Sequence, residues 1–310
     1  MVIKAENIVK KYKELNALDH FNMEVKEGEI LGLLGPNGCG KTTAINCILS
    51  LLKFDEGDIQ IFGQKMTPTS YNIKKQIGLV PQEVAVFENL TVEENIDYFC
   101  GLYIEDKNIR REYVKEVIDF VGLTEYKKFY PKKLSGGLKR RLNIACGISH
   151  KPKLIFLDEP TVAVDAQSRN FILEGIKRLN KEGSTIIYTT HYLEEAEMLC
   201  DRIIIMDRGK SLVTGTVEEL KSITSTREKI IAGFENPEED ISDKIKSIPH
   251  VLDVGKAHGE YIINFENGTN NLSNLLDFIK DNDLTYTKLY SQLPSLNDVF
   301  LELTGKELRE

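Results

Sequence analysis

The sequence predicts an α/β fold organised around a parallel sheet, and three short runs carry that prediction. Glu29-Ile-Leu-Gly-Leu-Leu34 and Leu154-Ile-Phe-Leu157 are short and largely apolar, and Ser184-Thr-Ile-Ile-Tyr-Thr-Thr190 is rich in β-branched residues, as strands covered on both faces by helices are. Each leads through a turn into a helical pattern, the alternation that builds parallel sheets.

The remaining elements come in chain order. Strands at about 2–9, 18–25 and 58–61 suggest an antiparallel face beside the parallel core. A helix runs from Thr42 to Leu52, with Ala44, Ile45, Ile48, Leu49 and Leu52 apolar. Residues 91–149 read as a helical insertion: Thr91 caps a helix through Tyr103, Asp106 caps another to about Val121, and a third starts at Gly137. A helix to Lys181, a helix over 192–199, a strand over 202–206, a turn at 207–210 and a short helix over 217–221 complete the first domain, residues 1–222. Ser222–Arg227 is polar and unpatterned, and a small α+β domain is expected over 223–310. Its pattern is strand 229–234, helix 241–248, strands 251–257 and 260–265, helix 270–281 and strand 284–290. That βαββαβ order resembles a ferredoxin-like module. A last helix begins at Ser295, with Asp298 at capping-box spacing and Leu296, Phe300 and Leu303 on one face.

Composition narrows the function. The 310 residues are 41% hydrophobic and 28% charged, with a net charge of −8. The acidic balance argues against a nucleic-acid partner, which calls for a basic footprint. No stretch reaches the roughly 18–20 consecutive apolar residues of a membrane span, and the first residues lack the pattern of a signal peptide. Five cysteines, Cys39, Cys47, Cys100, Cys146 and Cys200, are scattered without metal-ligand spacing, so free thiols in a reducing cytosol are expected.

Chemistry concentrates in two places. Gly35-Pro36-Asn37-Gly38-Cys39-Gly40-Lys41-Thr42-Thr43 lies between a strand and a helix. Its glycines let backbone N–H groups approach phosphates, the helix N-terminus adds positive partial charge, and Lys41 supplies a point charge. The Thr42 hydroxyl can ligate Mg²⁺. The chain is therefore expected to bind a nucleoside triphosphate. The second place is the end of the 154–157 strand, where Asp158 and Glu159 point to opposite faces and cannot share a role. Asp158 suits the metal, and Glu159 is free to orient or deprotonate water.

Between them, Leu134-Ser-Gly-Gly-Leu-Lys-Arg-Arg-Leu-Asn-Ile-Ala145 resembles the signature motif of ATP-binding cassette (ABC) proteins, with Leu138 where many members carry glutamine. Physically it is a second anion-binding helix start, with Leu134, Ser135, Gly136 and Gly137 at its tip. The resemblance extends to Tyr12, matching the aromatic that stacks on adenine, and Gln82, matching the glutamine that senses Mg²⁺ and the partner subunit. Asp165 matches the loop that crosses to the other subunit, with Ala163 and Ala166 where glycine and proline are common. His191 matches the histidine that contacts the γ-phosphate. It implies a P-loop ATPase using ATP and Mg²⁺, with Glu159 and His191 catalytic and the signature acting in trans. The implied partners are a second, identical ATPase subunit and a separate transmembrane permease on the cytoplasmic face of the cell membrane. The ending resembles the drug, antibiotic and lipid exporter branch. Val86, Phe87 and Leu90, apolar in a loop, fall where the family receives the permease. An ABC ATPase working away from membranes and a non-catalytic regulatory subunit stand as alternatives.

Overall fold

Two β-sheets meet across one apolar core, and the phosphate loop sits where they converge. The computed structural model describes residues 1–226, 228–235, 240–257, 259–266 and 269–305. Residue 227 of the expected linker and 306–310 of the expected second domain lie outside these. The chain begins with the antiparallel pair β1 (Ile3–Tyr12) and β2 (Leu15–Val25), followed by β3 (Ile30–Leu34) and α1 (Lys41–Ile48). β4 (Glu56–Ile61) and β5 (Gln64–Lys65) return to β1 and close a four-stranded antiparallel sheet in the order β2-β1-β4-β5. After α2 (Tyr71–Lys74), β6 (Ile77–Val80) enters the central sheet.

The helical insertion comprises α3 (Val92–Gly101), α4 (Lys107–Phe120) and α5 (Gly136–Ile148). Thr91 and Glu94 form a reciprocal capping box on α3, and Asp106 accepts hydrogen bonds from the Asn108 and Ile109 amides at the start of α4. β7 (Leu154–Asp158), α6 (Ala166–Lys181), β8 (Thr185–Thr190), α7 (Leu193–Leu199), β9 (Arg202–Asp207) and β10 (Lys210–Gly215) complete the unit. The central sheet runs β10-β9-β3-β8-β7-β6, parallel except for the edge strand β10. Strands β3, β7 and β8 are buried at every residue, as their unbroken apolar character predicts. Ile3, Phe21 and Met23 of the antiparallel sheet, Ala44 and Ile45 of α1, and Leu31, Phe156 and Ile187 of the central sheet form one cluster. All five cysteines are buried and unpaired. Burial raises the thiols of Cys39 and Cys100, and pushes that of Cys47 up to about 11.

The contact boundary falls after Thr216, not at 222. The short helix α8 (Val217–Lys221) buries Leu220 and packs against the last helix of the chain, α11 (Leu296–Thr304), so it belongs to the second unit. Between these two helices the second unit contains β11 (Glu228–Phe234), α9 (Ser242–Lys246), β12 (Val251–Ala257), β13 (Glu260–Phe265), α10 (Asn271–Asp281) and β14 (Tyr286–Gln292). Its antiparallel sheet runs β12-β13-β11-β14, the interleaved order of the expected ferredoxin-like module. Ile230, Ile263 and Phe265 pack with Ile245, Leu275 and Ile279 of the helices. Ser295 and Asp298 form the expected capping box, but the buried stripe of α11 is Leu296, Val299 and Phe300, while Leu303 is 37% exposed. Leu303 lies one turn beyond Val299 and Phe300, near the fraying end of the helix.

Helix α5 approaches β6 through two glycines. A Cβ on Gly147 would lie 2.7 Å from Leu79 O, and one on Gly78 would lie 2.5 Å from Gly147 O. Backbone on both sides leaves no flexible atom to yield. Gly147→Ala is expected to destabilise the first unit by about 1–3 kcal/mol, read as a lower Tm in thermal unfolding. An unchanged Tm would show that α5 can shift freely against the sheet.

Candidate functional site

The phosphate loop turns on Gly40, whose φ of 110° is open to glycine and which lies against β2, where a Cβ would meet Ala17 O at 2.6 Å. That turn aims Lys41 inward. Its ammonium is buried, donates to Gly35 O at 2.7 Å and Pro36 O at 3.2 Å, and lies 3.2 Å from Glu159 Oε1. Beside it, Thr42 Oγ1 donates to Asp158 Oδ2 at 2.7 Å.

The two carboxylates part company at the end of β7. Asp158 is the last residue of the strand, and Thr189 Oγ1 on neighbouring β8 donates to its Oδ1 at 2.6 Å. Glu159 leaves the strand in the left-handed region, with φ at 46°, and its amide donates to the same Thr189 hydroxyl at 2.9 Å. Such a backbone costs about 1–2 kcal/mol in a residue other than glycine. It swings the side chain to a meeting point: Gln82 Nε2 donates to Glu159 Oε2 at 3.3 Å, and His191 Nδ1 lies 3.3 Å from the same oxygen.

A cleft of about 590 Å³ opens over the loop, lined by Asn37, Gly38, Gly40, Lys41, Thr42, Thr43, Gln82 and Glu159. Tyr12, at the end of β1, lines the far side with its side chain half exposed, and Lys10 Nζ lies 5.1 Å from its ring centre. Asn16 and Arg208 also line the cleft. They lie in or beside turns and carry no motif, so only the fold brings them here. Cys39 is buried under the loop and Pro36 half-buried, leaving Asn37 and Gly38 to face out.

The signature residues and Asp165 stand apart from this cleft. Ser135 caps α5, accepting from the Leu138 amide at 3.3 Å, and Leu134 is buried beneath it. Asp165 caps α6, accepting from Ser168 N at 2.8 Å and Ser168 Oγ at 2.9 Å. Ala163, with φ at 58°, holds the turn before it. The two signature glycines face different surroundings. A Cβ on Gly137 would come within 2.1 Å of Ser168 Oγ, whereas one on Gly136 would meet nothing closer than Ala163 O at 3.9 Å.

Three buried polar residues without a role read from the sequence tie these parts together. Arg140 Nη1 donates to Gln82 O at 2.7 Å and Pro81 O at 3.2 Å. Asn143 donates to Pro81 O at 3.1 Å and accepts from Ala85 N at 3.0 Å. Asn95 of α3 holds the next stretch, accepting from Phe87 N and donating to the Phe87, Leu90 and Thr91 carbonyls. The signal in the sequence was polar residues on otherwise apolar helix faces, which is read easily as solvent exposure.

This arrangement, a phosphate loop beside a strand-end carboxylate pair and a helical insertion bearing a separate glycine-tipped helix, is that of an ABC cassette. The ABC transporter family model matches residues 18–162, and one for the C-terminal domain of DrrA1-3-like ATP-binding proteins matches residues 215–304. The chain is 39% identical to the linearmycin resistance ATP-binding protein LnrL of Bacillus subtilis over 100% of both chains. It is 32% identical to the daunorubicin resistance ATP-binding protein DrrA2 of Streptomyces coeruleorubidus, over 98% of this chain and 95% of that one. Among solved structures, the dimeric, post-hydrolysis ATP-binding cassette MJ0796 bound to ADP and Pi superposes with a TM-score of 0.64 at 29% identity, covering 69% of this chain and 98% of that one. The protein belongs to the ABC transporter ATP-binding family and is an ATPase.

The glycine pair gives a direct test of the local geometry. Gly137→Ala should lower stability by about 1–3 kcal/mol through the clash with Ser168, while Gly136→Ala should leave the melting temperature of the purified chain unchanged. Equal effects of the two would contradict their different surroundings.

Proposed function

We propose that this chain is the ATP-hydrolysing subunit of an exporter, pairing with a second copy around two Mg·ATP and driving a separate permease at the cytoplasmic face of a membrane. The observation that carries the catalytic reading is the convergence of Lys41, Gln82 and His191 on the Glu159 carboxylate, beside the Thr42–Asp158 pair.

The adjacent hydroxyl and carboxylate of Thr42 and Asp158 are hard oxygen donors, and Mg²⁺ sites at phosphates typically use one or two protein ligands of this kind. These residues would hold the ion, which supplies charge neutralisation to the transferring phosphoryl group. Lys41 would exchange its contact with Glu159 for the β- and γ-phosphates. Glu159 would then lose its counter-charge and accept a proton from the attacking water at a carboxylate oxygen. Gln82 and His191, both already within reach of Glu159, would orient that water and meet the γ-phosphate. Tyr12 would stack on the base. Ser135, Gly136 and Gly137 are absent from the cleft of their own chain, which supports their use by the other subunit, and the open space around Gly136 suits a close approach by phosphate.

Support for export comes from the names of LnrL and DrrA2, both resistance proteins. Support for a permease partner comes from the surface beside α3. Phe87, 45% exposed, lies edge-on to Tyr98 at 4.9 Å and stacks on Phe99 at 5.8 Å, with Val86 and Leu90 beside it in the loop. An aromatic cluster left at the surface suits a protein contact.

Two variants test this reading. Glu159→Gln should bind Mg·ATP but hydrolyse it about a hundredfold or more slowly, because an amide cannot take the proton. Gel filtration with Mg·ATP should show the variant as a dimer, and a monomer that hydrolyses at the wild-type rate would refute the role. Phe87→Ala should reduce co-purification with the permease while ATP affinity and Tm stay unchanged. A general loss of stability would instead make Phe87 a packing residue.

A further inference from the structure

We propose that Glu195, on α7, is a positioning residue for hydrolysis that holds the His191 loop and the Glu159–Asp165 loop as one unit. The inference rests on the catalytic reading above and adds a group that touches neither nucleotide nor water. Glu195 is 1% exposed. Its Oε2 accepts from three hydroxyls: Tyr188 Oη at 2.6 Å, Thr161 Oγ1 at 2.9 Å and Thr190 Oγ1 at 3.0 Å. Its Oε1 pairs with Arg169 Nε. A buried carboxylate needs such partners to offset its lost hydration. The burial of Tyr188 together with this neighbouring charge holds the phenol well above its ordinary value, so it stays a donor.

What distinguishes this cluster from a generic buried ion pair is where the donors come from. Thr161 lies two residues after Glu159. Thr190 immediately precedes His191. Arg169 sits one turn into α6, whose cap is Asp165. The Thr190 hydroxyl also accepts from the Tyr192 amide at 2.9 Å, so the backbone is held on both sides of His191. The Arg169 guanidinium lies 4.3 Å from the centre of the Tyr192 ring, which in turn lies 4.2 Å from the His191 ring. A displacement of the start of α6 therefore reaches His191 by two routes, through the carboxylate and through the ring. Contact of the Asp165 loop with a second subunit would be transmitted in this way to both groups that surround the attacking water.

The test compares Mg·ATP hydrolysis by the purified chain with Thr161→Val, Thr161→Ser and Glu195→Gln. Thr161→Val keeps shape and removes one hydroxyl from the carboxylate. It should lower kcat about tenfold, the size of one lost hydrogen bond to a charged group, with KM and ATP affinity within about twofold. Thr161→Ser restores the hydroxyl and should restore kcat. Glu195→Gln should lower kcat at least as far with ATP still bound; if it fails to fold, the Thr161 pair decides alone. A wild-type kcat in Thr161→Val, a Thr161→Ser as slow as Thr161→Val, or a parallel loss of ATP affinity would overturn the proposal. A wild-type chain that does not hydrolyse Mg·ATP would defeat the catalytic reading, and this inference with it.

Discussion

A buried ion pair, Lys41 with Glu159, organises the first unit. Both side chains are about 5% exposed, and they lie 3.2 Å apart. Neither charge could be buried there alone, since removing one partner of such a pair typically costs about 3–5 kcal/mol. The pair draws together the loop after β3 and the end of β7, two segments 118 positions apart in the chain. Gln82 and His191 gather on the same carboxylate from two further segments. The left-handed backbone of Glu159 and the inward aim of Lys41 are the local strain and curvature that this meeting requires. Within the chain each charge of the pair answers the other.

The second organising feature is the traffic of hydrogen bonds from helices into loops. Arg140 and Asn143 of α5 hold the Gln82 segment, and Asn95 of α3 holds the stretch around Phe87. The surface aromatic cluster, the loop reaching Glu159 and the helix tipped by Ser135 are thus joined by short polar links within the helical insertion. Backbone carbonyls in buried loops need such donors in any case. Here the donors to the Pro81–Gln82 carbonyls come from α5, the helix whose tip stands outside the cleft, and those to the Phe87–Thr91 carbonyls from α3.

Much of this was legible beforehand because local chemistry demanded it. A glycine-rich turn before Lys41-Thr42, an apolar strand ending in Asp158-Glu159, and Ser, Thr and Asp at helix starts each announce one local geometry. All of these formed as expected, including the cap at Thr91 and the capping box at Ser295. The illegible parts depend on partners distant in sequence. Nothing near Glu159 in the sequence announces its positive φ, which accompanies contacts with the Thr189 hydroxyl and the Lys41 ammonium, both distant in the chain. Arg140, Asn143 and Glu195 look like solvated residues until the loops that bury them are in place. Leu303 read as core because periodicity counts positions and not the neighbours available at the end of a helix, where Val299 took its place. The boundary at Thr216 moved for the same reason: α8 is defined by the helix it packs on, not by the polar stretch after it.

The phosphate loop carries a sulfur, Cys39, in the middle of a turn built to attract anions. A helix start and a neighbouring ammonium ordinarily favour the thiolate, the form that reacts with oxidants and alkylating agents. Burial outweighs them here and raises the thiol, so the proton is retained at neutral pH. The other four thiols are buried as well. Cys39 lies buried under the phosphate loop with its thiol raised, offering neither exposed sulfur nor ready thiolate to alkylating agents, and a single cysteine introduced at the surface would stand out against five buried thiols.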